Sequence, residues 1–314
     1  MNELGAIDTS ANRAFSGPLQ LVWDSTSLGA LKLCPRYYEL SIVRGYTPRT
    51  LGVDLAFGLW LHGARERFYR ARAQGTPHDE ALLASLEWLL TQTYDTQAMR
   101  PWASDHPQKN RLTLVRTFVW YVDQWLDDPL ETITLASGAP AVELTFRFAT
   151  DYLAPSGANF ELAGHLDRVV RFQGELWDSD LKSTKSTLDQ GYFSGFTPDN
   201  QMSLYSYASR VVYDLPARGV IIDAAQVAVT FSRFARGTVA RSKDQLDEWY
   251  GELGTWLAHA TEYARAGHWP QNDKACFRCA FRAICARPPS VRKQWLEADF
   301  TKRLWDPTVA RGDI

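Results

Sequence analysis

Two aspartates and a lysine lie on consecutive predicted strands of the chain. Asp167 lies on the first, and Asp180 and Lys182 lie on the second, after a turn at Gln173-Gly174. Residues i and i+2 of a strand share a face, so Asp180 and Lys182 point the same way. A hairpin through the turn can bring Asp167 alongside them. The sequence therefore predicts that two carboxylates and an ammonium group converge.

This convergence favours a divalent metal site. Two neighbouring carboxylates repel one another and stay ionised together only if a cation lies between them. Hard oxygen ligands select Mg²⁺ or Mn²⁺. Such an ion can polarise a phosphodiester oxygen and lower the pKa of bound water, while a lysine orients that water or offsets developing charge. The alternative for Asp-x-Lys alone is a salt bridge on the surface of an edge strand.

The cysteines form a second candidate site. One is Cys34, and the other three form a Cys276-x2-Cys279-x5-Cys285 motif within a predicted cluster-binding segment, 273–288. Four thiolates suit either zinc or an iron–sulfur cluster, and the spacing does not decide between them. The alternatives are two disulfides or four unrelated buried thiols. A shared metal site, which we favour, requires the C-terminal segment to return to the N-terminal one.

The hydrophobic pattern indicates how these residues are positioned. Periodicity of the helical type predicts a short helix after Ser25 that delivers Cys34, and longer helices over 51–73, 78–97, 108–127, 198–213 and 243–266. Alternation predicts strands over 142–148, 160–172, 175–183, 218–223 and 226–234. This order predicts an α/β or α+β domain with a mixed central sheet flanked by helices, rather than an alternating doubly wound sheet.

Composition limits the protein class. The 314 residues are 45% apolar and 13% aromatic, which supplies ample core. The first 20 residues lack the pattern of a signal peptide, and no run of 18 uncharged apolar residues occurs. We therefore expect a soluble, cytoplasmic protein without a membrane partner, with a flexible leader over 1–22.

The net charge of −2 gives no global basic field for a nucleic acid, but a local basic groove is compatible with it. Three groups of basic residues are candidates for such a groove, although a solvated face is the alternative for each. They are Arg65, Arg67, Arg70 and Arg72; Lys109, Arg111 and Arg116; and Arg233, Arg236, Arg241 and Lys243.

Taken in order, the motifs resemble the PD-(D/E)XK nuclease superfamily. The resemblance is to its RecB-like branch, which includes AddB-type and CRISPR-adaptation nucleases with an iron–sulfur cluster. It covers roughly residues 23–288. The matching motifs are Ser25-x-Ser27-Leu28 with Cys34-Pro35-Arg36-Tyr37-Tyr38, Gly58-x3-His62, Gly164-x2-Asp167, Asp180-x-Lys182, Gln201-x3-Tyr205 and the cysteine trio.

The resemblance implies a role for each matching residue at the acidic site. His62, Asp167, Asp180 and the backbone carbonyl of Leu181 would bind Mg²⁺ or Mn²⁺, and Lys182 would assist the attacking water. Considered alone, His62 would more often be a core histidine whose hydrogen bonds are satisfied.

Beyond that site, the resemblance implies that Gln201 and Tyr205 lie close by, contacting DNA or supporting the lysine. It also implies that the four cysteines hold a structural [4Fe–4S] cluster joining the N- and C-terminal segments. The expected fold is a restriction-endonuclease-like core in a single nuclease domain, 23–314.

The sequence departs from the family pattern at two places. Asp178 lies on the same face as Asp180, where the family has an apolar residue. His62 and Asp167 are 105 positions apart, which leaves room for a helical insert over about 74–130.

The resemblance leads us to expect a metal-dependent DNA nuclease, specifically an exonuclease on single strands or DNA ends, in recombination, repair or end processing. No G-x4-G-K-[ST] phosphate loop occurs, so unwinding would require a helicase or recombination partner. Aromatics available for stacking on unpaired bases include Trp60, Tyr69, Tyr192 and Phe193, although core packing is the alternative for each. The alternative functions are a non-catalytic DNA-binding or assembly module and a zinc-stapled protein with no role on DNA.

Overall fold

The computed structural model describes residues 4, 7, 9, 12–49 and 52–309. They form two compact units. Unit 1 comprises the described residues of Met1–Thr50, Thr145–Gly164 and Lys243–Ile314, and unit 2 comprises those of Leu51–Leu144 and His165–Ser242.

The α-helices, numbered in chain order, are α1 (Ser25–Leu33), α2 (Pro35–Tyr38), α3 (Val53–Ala73), α4 (His78–Gln92), α5 (Arg111–Gln124), α6 (Gln190–Ser194), α7 (Asn200–Val212), α8 (Lys243–Ala266), α9 (Arg282–Cys285) and α10 (Pro289–Asp299). A π-helix over Glu39–Val43 and a 3-10 helix over Asp273–Arg278 are further helical segments. The strands, numbered likewise, are β1 (Phe15–Ser16), β2 (Leu19–Gln20), β3 (Val22–Trp23), β4 (Tyr46–Pro48), β5 (Tyr94–Asp95), β6 (Arg100–Pro101), β7 (Glu131–Thr132), β8 (Val142–Leu153), β9 (Asn159–Phe172), β10 (Glu175–Thr184), β11 (Gly219–Val227), β12 (Ser232–Ala240) and β13 (Phe300–Lys302).

A mixed sheet forms the centre of unit 2. β12 pairs antiparallel with β11, β11 pairs parallel with β10, and β10 pairs antiparallel with the second half of β9. The β9–β10 hairpin turns at Gln173 and Gly174, whose φ angles of +51° and +82° are typical of a tight two-residue hairpin turn. The structure thus confirms the predicted hairpin and the mixed α/β fold of the restriction-endonuclease-like type.

Helices cover both faces of this sheet. On one face, α3, α4 and α5 form a core with Leu181 of β10 and Ala225 and Val227 of β11. Helix α3 buries Phe57 and Leu61, four positions apart, because that spacing keeps side chains on one helical face. On the other face, α7 packs against β10 and β11. Strand β10, which carries Lys182, therefore lies between two helical layers.

A buried arginine–aspartate network ties the α3–α5 layer to β11 and β12. The Asp223 carboxylate accepts hydrogen bonds from Arg65 at 3.0 Å and Tyr121 at 2.6 Å, and Arg236 lies 3.1 Å from it. The further members of the network are Tyr69, Asp128 and Arg168. Burial opposes ionisation of Asp128, but Arg236 and Arg168 together lower its pKa.

Unit 1 brings the two ends of the described chain together. β4 pairs antiparallel with β13, and Leu40 and Tyr46 share a buried apolar cluster with Phe281 and Leu296. In the same unit, β3 pairs parallel with the first half of β9. The expected return of the C-terminal segment to the N-terminal one is therefore present within this unit.

Most predicted elements occur with shifted ends. The helices expected over 78–97 and 108–127 are the shorter α4 and α5. The strand expected over 226–234 is wrong, because the chain reverses there: Ala228 N donates to Phe231 O at 3.0 Å. Residues 226–234 contain no glycine or proline, and their apolar and polar side chains alternate as in a continuous strand. The hydrophobic pattern therefore gives no sign of the turn.

The leader expected over 1–22 falls partly outside the described residues. Of the described part, β1 and β2 pair antiparallel, and the side chains of Phe15 and Leu19 are buried. In the described portion of the chain, no helix is both long and apolar enough to span a bilayer.

Candidate functional site

The β9–β10 ladder opens at the two aspartates. The last paired residues are Arg168 and Ser179, and the next positions in the same register are Asp167 and Asp180. At that point the acceptor is a side chain instead of a backbone carbonyl: the Leu181 N–H donates a hydrogen bond to the Asp167 carboxylate at 3.0 Å. The opening leaves carboxylate and carbonyl oxygens of adjacent strands facing one another.

His62 reaches this opening from α3. Its Nε2 lies 2.9 Å from the Leu181 carbonyl oxygen, and its Nδ1 lies 3.2 Å from Asp167 Oδ2. Gly58, one helical turn earlier, faces the same strand, since a Cβ there would lie 3.9 Å from Ser183 Oγ. The structure thus brings His62, Asp167 and Leu181 into direct contact.

Glu143 is an acidic residue at this site that sequence reasoning missed. Ligand atoms of His62, Glu143 and Asp167 all lie within 4.8 Å of one another. Glu143 is half-buried in β8, with a φ of +51° that few residues other than glycine adopt. In the sequence, Glu143 lies between Val142 and Leu144, in a run where apolar and polar residues alternate. At such a position, a metal-binding acidic residue has the same sequence pattern as an acidic residue on a solvent-exposed face.

Asp180 is the most buried carboxylate at the opening, with 1% of its side chain exposed. Burial raises its pKa, the nearby Lys182 ammonium opposes this rise, and the Asp167 carboxylate adds to it. Lys182 Nζ lies 2.7 Å from Asp180 Oδ2, whereas no described residue donates a hydrogen bond to Asp180 Oδ1. A buried carboxylate oxygen without a donor is costly, so this atom fits a cation ligand.

Lys182 is fixed by α7. Its Nζ donates to Gln201 Oε1 at 2.6 Å, and Gln201 Nε2 donates to Tyr205 OH at 2.9 Å. Gln201 and Tyr205 are four positions apart and share a face of the helix, which begins at the N-cap Asp199. The structure thus brings Gln201 into contact with Lys182, and Tyr205 into contact with Gln201.

Asp178 lies beyond the opening and is buried against α7. Its Oδ1 accepts a hydrogen bond from Ser209 Oγ at 2.5 Å. Burial raises the pKa of Asp178 to about 8, and the Asp180 carboxylate contributes to the rise. The carboxyl group is therefore largely protonated near neutral pH.

The four cysteines all lie in unit 1. Cys34 is buried, and the other three are half-buried; none forms a disulfide. Burial raises the pKa of Cys279, and the neighbouring sulfurs of Cys34 and Cys276 raise it further. For Cys285, burial likewise raises the pKa, and Cys279 and Cys34 contribute. The electrostatic coupling places these sulfurs in one neighbourhood.

Polar groups surround this cysteine neighbourhood. The backbone N–H of Asn272 points at Cys34 Sγ, 3.3 Å away. The guanidinium groups of Arg36 and Arg292 oppose the rise of the Cys285 pKa. Donors and cations of this kind favour thiolates, the form in which cysteine binds metals.

The acidic opening is suited to a divalent metal ion, and a comparison with protein families identifies the class of protein to which the chain belongs. The profile of the PD-(D/E)XK nuclease superfamily matches residues 25–286, and the chain belongs to this superfamily.

The solved structures that resemble the chain include two with low sequence identity. A suspected exonuclease from Eubacterium rectale is 10% identical, with a TM-score of 0.48 over 85% of this chain and 90% of that chain. A protein designated SSO0001 is 14% identical, with a TM-score of 0.33 over 73% of this chain and 84% of that chain. No curated protein matches the sequence.

Proposed function

We propose that this nuclease is a metal-dependent exonuclease that hydrolyses DNA as single strands or at frayed ends. The observation that carries the proposal is the opening between β9 and β10, where Asp167, His62 and the Leu181 carbonyl touch and the buried Asp180 keeps one oxygen without a donor. The family match supports the reaction class. Recombination, repair or end processing is the proposed setting, in a soluble cytoplasmic protein.

The opening fits a divalent ion. Asp167, Asp180, the Leu181 carbonyl and His62 are its proposed ligands. Among the described residues, the acidic and histidine ligand atoms that lie within 4.8 Å of one another are those of His62, Glu143 and Asp167, so Glu143 is a further proposed ligand. Mostly oxygen ligands favour Mg²⁺ or Mn²⁺. When bound, such an ion polarises a phosphodiester oxygen and lowers the pKa of a coordinated water.

Lys182 supplies the positive group next to that position. Its Nζ is held between Asp180 Oδ2 and Gln201 Oε1, at 2.7 and 2.6 Å. An ammonium has three N–H donors, so one remains to orient the attacking water or to stabilise charge on a phosphate oxygen. Tyr205 holds the Gln201 amide in place, so we assign both to positioning of Lys182.

For the cysteines we propose a structural [4Fe–4S] cluster. The neighbouring sulfurs and the N–H donor on Cys34 support a shared four-thiolate site. The choice of an iron–sulfur cluster over zinc rests on the resemblance to the RecB-like branch. Iron and zinc analysis, with absorbance near ~400 nm, distinguishes the two.

The test is degradation of end-labelled single- and double-stranded DNA with Mg²⁺ or Mn²⁺. We expect cleavage by the wild-type protein and its loss in Lys182→Ala, with the absorbance of the cluster unchanged. Lys293→Ala is the matched control, because that lysine is exposed on α10 and belongs to none of the three basic groups considered for a DNA groove.

Comparison of linear with circular DNA distinguishes exonuclease from endonuclease cleavage, since an exonuclease degrades a linear strand and spares a circular one. DNA binding without cleavage under either metal would instead indicate a non-catalytic DNA-binding or assembly module. Added helicase or recombination partner proteins should extend degradation into duplex DNA.

A further inference from the structure

Three aromatic residues lie between the two elements that hold Lys182. The segment from the end of β10 to the start of α7 contains the short helix α6, with Tyr192 and Phe193, followed by Phe196. The Tyr192 ring lies 5.2 Å from that of Phe193 and 5.4 Å from that of Phe196, edge to face in both cases. All three are half-buried. The segment therefore forms a cluster of three contacting rings, here called the aromatic rim, between β10 and α7 in the chain.

Sheet register places this rim on the same face as the Asp180 carboxylate. Asp180 pairs with Ile222 of β11, and Ile222 pairs with Gly237 of β12. Paired residues of neighbouring strands point to the same face, and two strand spacings separate Asp180 from Gly237 by about 10 Å. A Cβ on Gly237 would meet the Phe193 ring at 2.3 Å, so the ring lies directly on that face.

Electrostatics agree with this placement. Burial raises the pKa of Tyr192 to about 12, and the charge of the Asp180 carboxylate contributes. Tyr192 thus lies within electrostatic reach of the metal-facing aspartate. At neutral pH it carries a neutral ring, which can stack on a base without repelling a phosphate.

The other aromatic candidates from the sequence are placed differently. Tyr69 is buried and donates to Asp128 in the arginine–aspartate network. Trp60 packs against Trp102 with ring centroids 4.7 Å apart, beside the α3–α5 core. Only Tyr192 and Phe193, of the four aromatics considered from the sequence, lie on the face of the sheet that carries Asp180.

We propose that Tyr192, backed by Phe193 and Phe196, stacks on an unpaired base next to the phosphate that is cleaved, and so selects single-stranded DNA. This inference rests on the proposed function. Each base of an intact duplex is already stacked on its neighbours, whereas an unpaired base can offer its face to an aromatic side chain. Stacking is also tolerant of sequence, as degradation from an end requires.

The test combines a protein variant with a DNA variant. Affinity of the protein is measured by fluorescence anisotropy on linear single strands, with Ca²⁺ in place of Mg²⁺, and on a series in which one nucleotide at a time is abasic. We expect Tyr192→Ala to weaken binding of the intact strand about 5- to 150-fold, the range for loss of one base stack. On the strand that lacks the stacked base, the same substitution should have no further effect.

Three further variants define the outcome. Tyr192→Phe should bind like wild type, and Tyr192→Leu, which keeps the apolar volume, should lose affinity like the alanine variant. Tyr94→Ala is the matched control, because Tyr94 is 38% exposed on β5, away from α6 in the chain. Circular dichroism melting of each variant reports folding.

Equal loss on intact and on every abasic strand, or no loss in Tyr192→Leu, would overturn the stacking role while DNA cleavage by the wild type still stood. If the wild-type protein neither bound nor degraded any DNA, the proposed function would fall and this inference with it.

Discussion

In the arginine–aspartate network, the ion pair between Arg65 and Asp223 permits a quantitative prediction of the free energy of unfolding. Asp223 is fully buried, and among the described residues it is the carboxylate within salt-bridge distance of Arg65, whose side chain is 7% exposed. Asp223→Asn keeps the shape and removes the charge. Arg65 then remains as a buried cation without a carboxylate partner, whereas Arg236 keeps Asp128.

The expected cost is about 3–5 kcal/mol of unfolding free energy, the range for breaking one partner of a buried ion pair. For 314 residues with an unfolding entropy of about 2.1 cal/mol/K per residue, that loss corresponds to a fall in Tm of roughly 5–8 °C. Arg65 lies three positions after His62 on α3, so the substitution should also weaken Mn²⁺ binding.

Urea denaturation followed by tryptophan fluorescence measures the free energy, and Glu262→Gln serves as control because its pair with Arg265 is exposed and should be dispensable. The double variant Arg65→Met with Asp223→Asn should recover part of the loss, since no unpaired charge remains at position 65. A loss for Asp223→Asn no greater than that of the control, or simple additivity in the double variant, would refute the reasoning.

Three further predictions concern single side chains. His62→Ala should raise the Mn²⁺ concentration for half-maximal DNA cleavage by about tenfold or more; an unchanged titration would exclude it as a ligand. Cys285→Ser should abolish absorbance near ~400 nm and lower Tm; retained colour would contradict the four-cysteine assignment. The pKa of Asp178 is raised to about 8 from 3.8, so its contribution to stability is present at low pH and is lost as pH rises towards 8. Asp178→Asn should therefore flatten the fall in stability between about pH 4 and pH 8, and an unchanged pH profile in urea denaturation would contradict the raised pKa.

The acidic hairpin could be read from the sequence because its signals are local. Alternation defines the two strands, the Gln173-Gly174 turn sets their register, and the register alone places Asp167 opposite Asp180. His62 lies far away in sequence, and its role came from the resemblance rather than from spacing.

What the sequence could not supply depends on tertiary packing. The sequence places Arg65, Arg67 and Arg70 in one basic cluster. In the structure, however, Arg65 is buried on Asp223, Arg67 lies over the Trp88 ring and Arg70 pairs with Glu66. Lys109, from another such group, is buried with its Nζ 3.2 Å from Ser183 Oγ. Helical spacing shows that charges share a helix but does not show which of them meets a partner on another element.

Anomalous diffraction from crystals grown with Mn²⁺ and a short DNA strand tests the central claim most directly. The proposal predicts an anomalous peak in the opening between β9 and β10, within bonding distance of Asp167, Asp180, the Leu181 carbonyl and His62, with a phosphate of the strand beside it. A fully occupied manganese site elsewhere on the protein, with those oxygens bound to no ion, would contradict it.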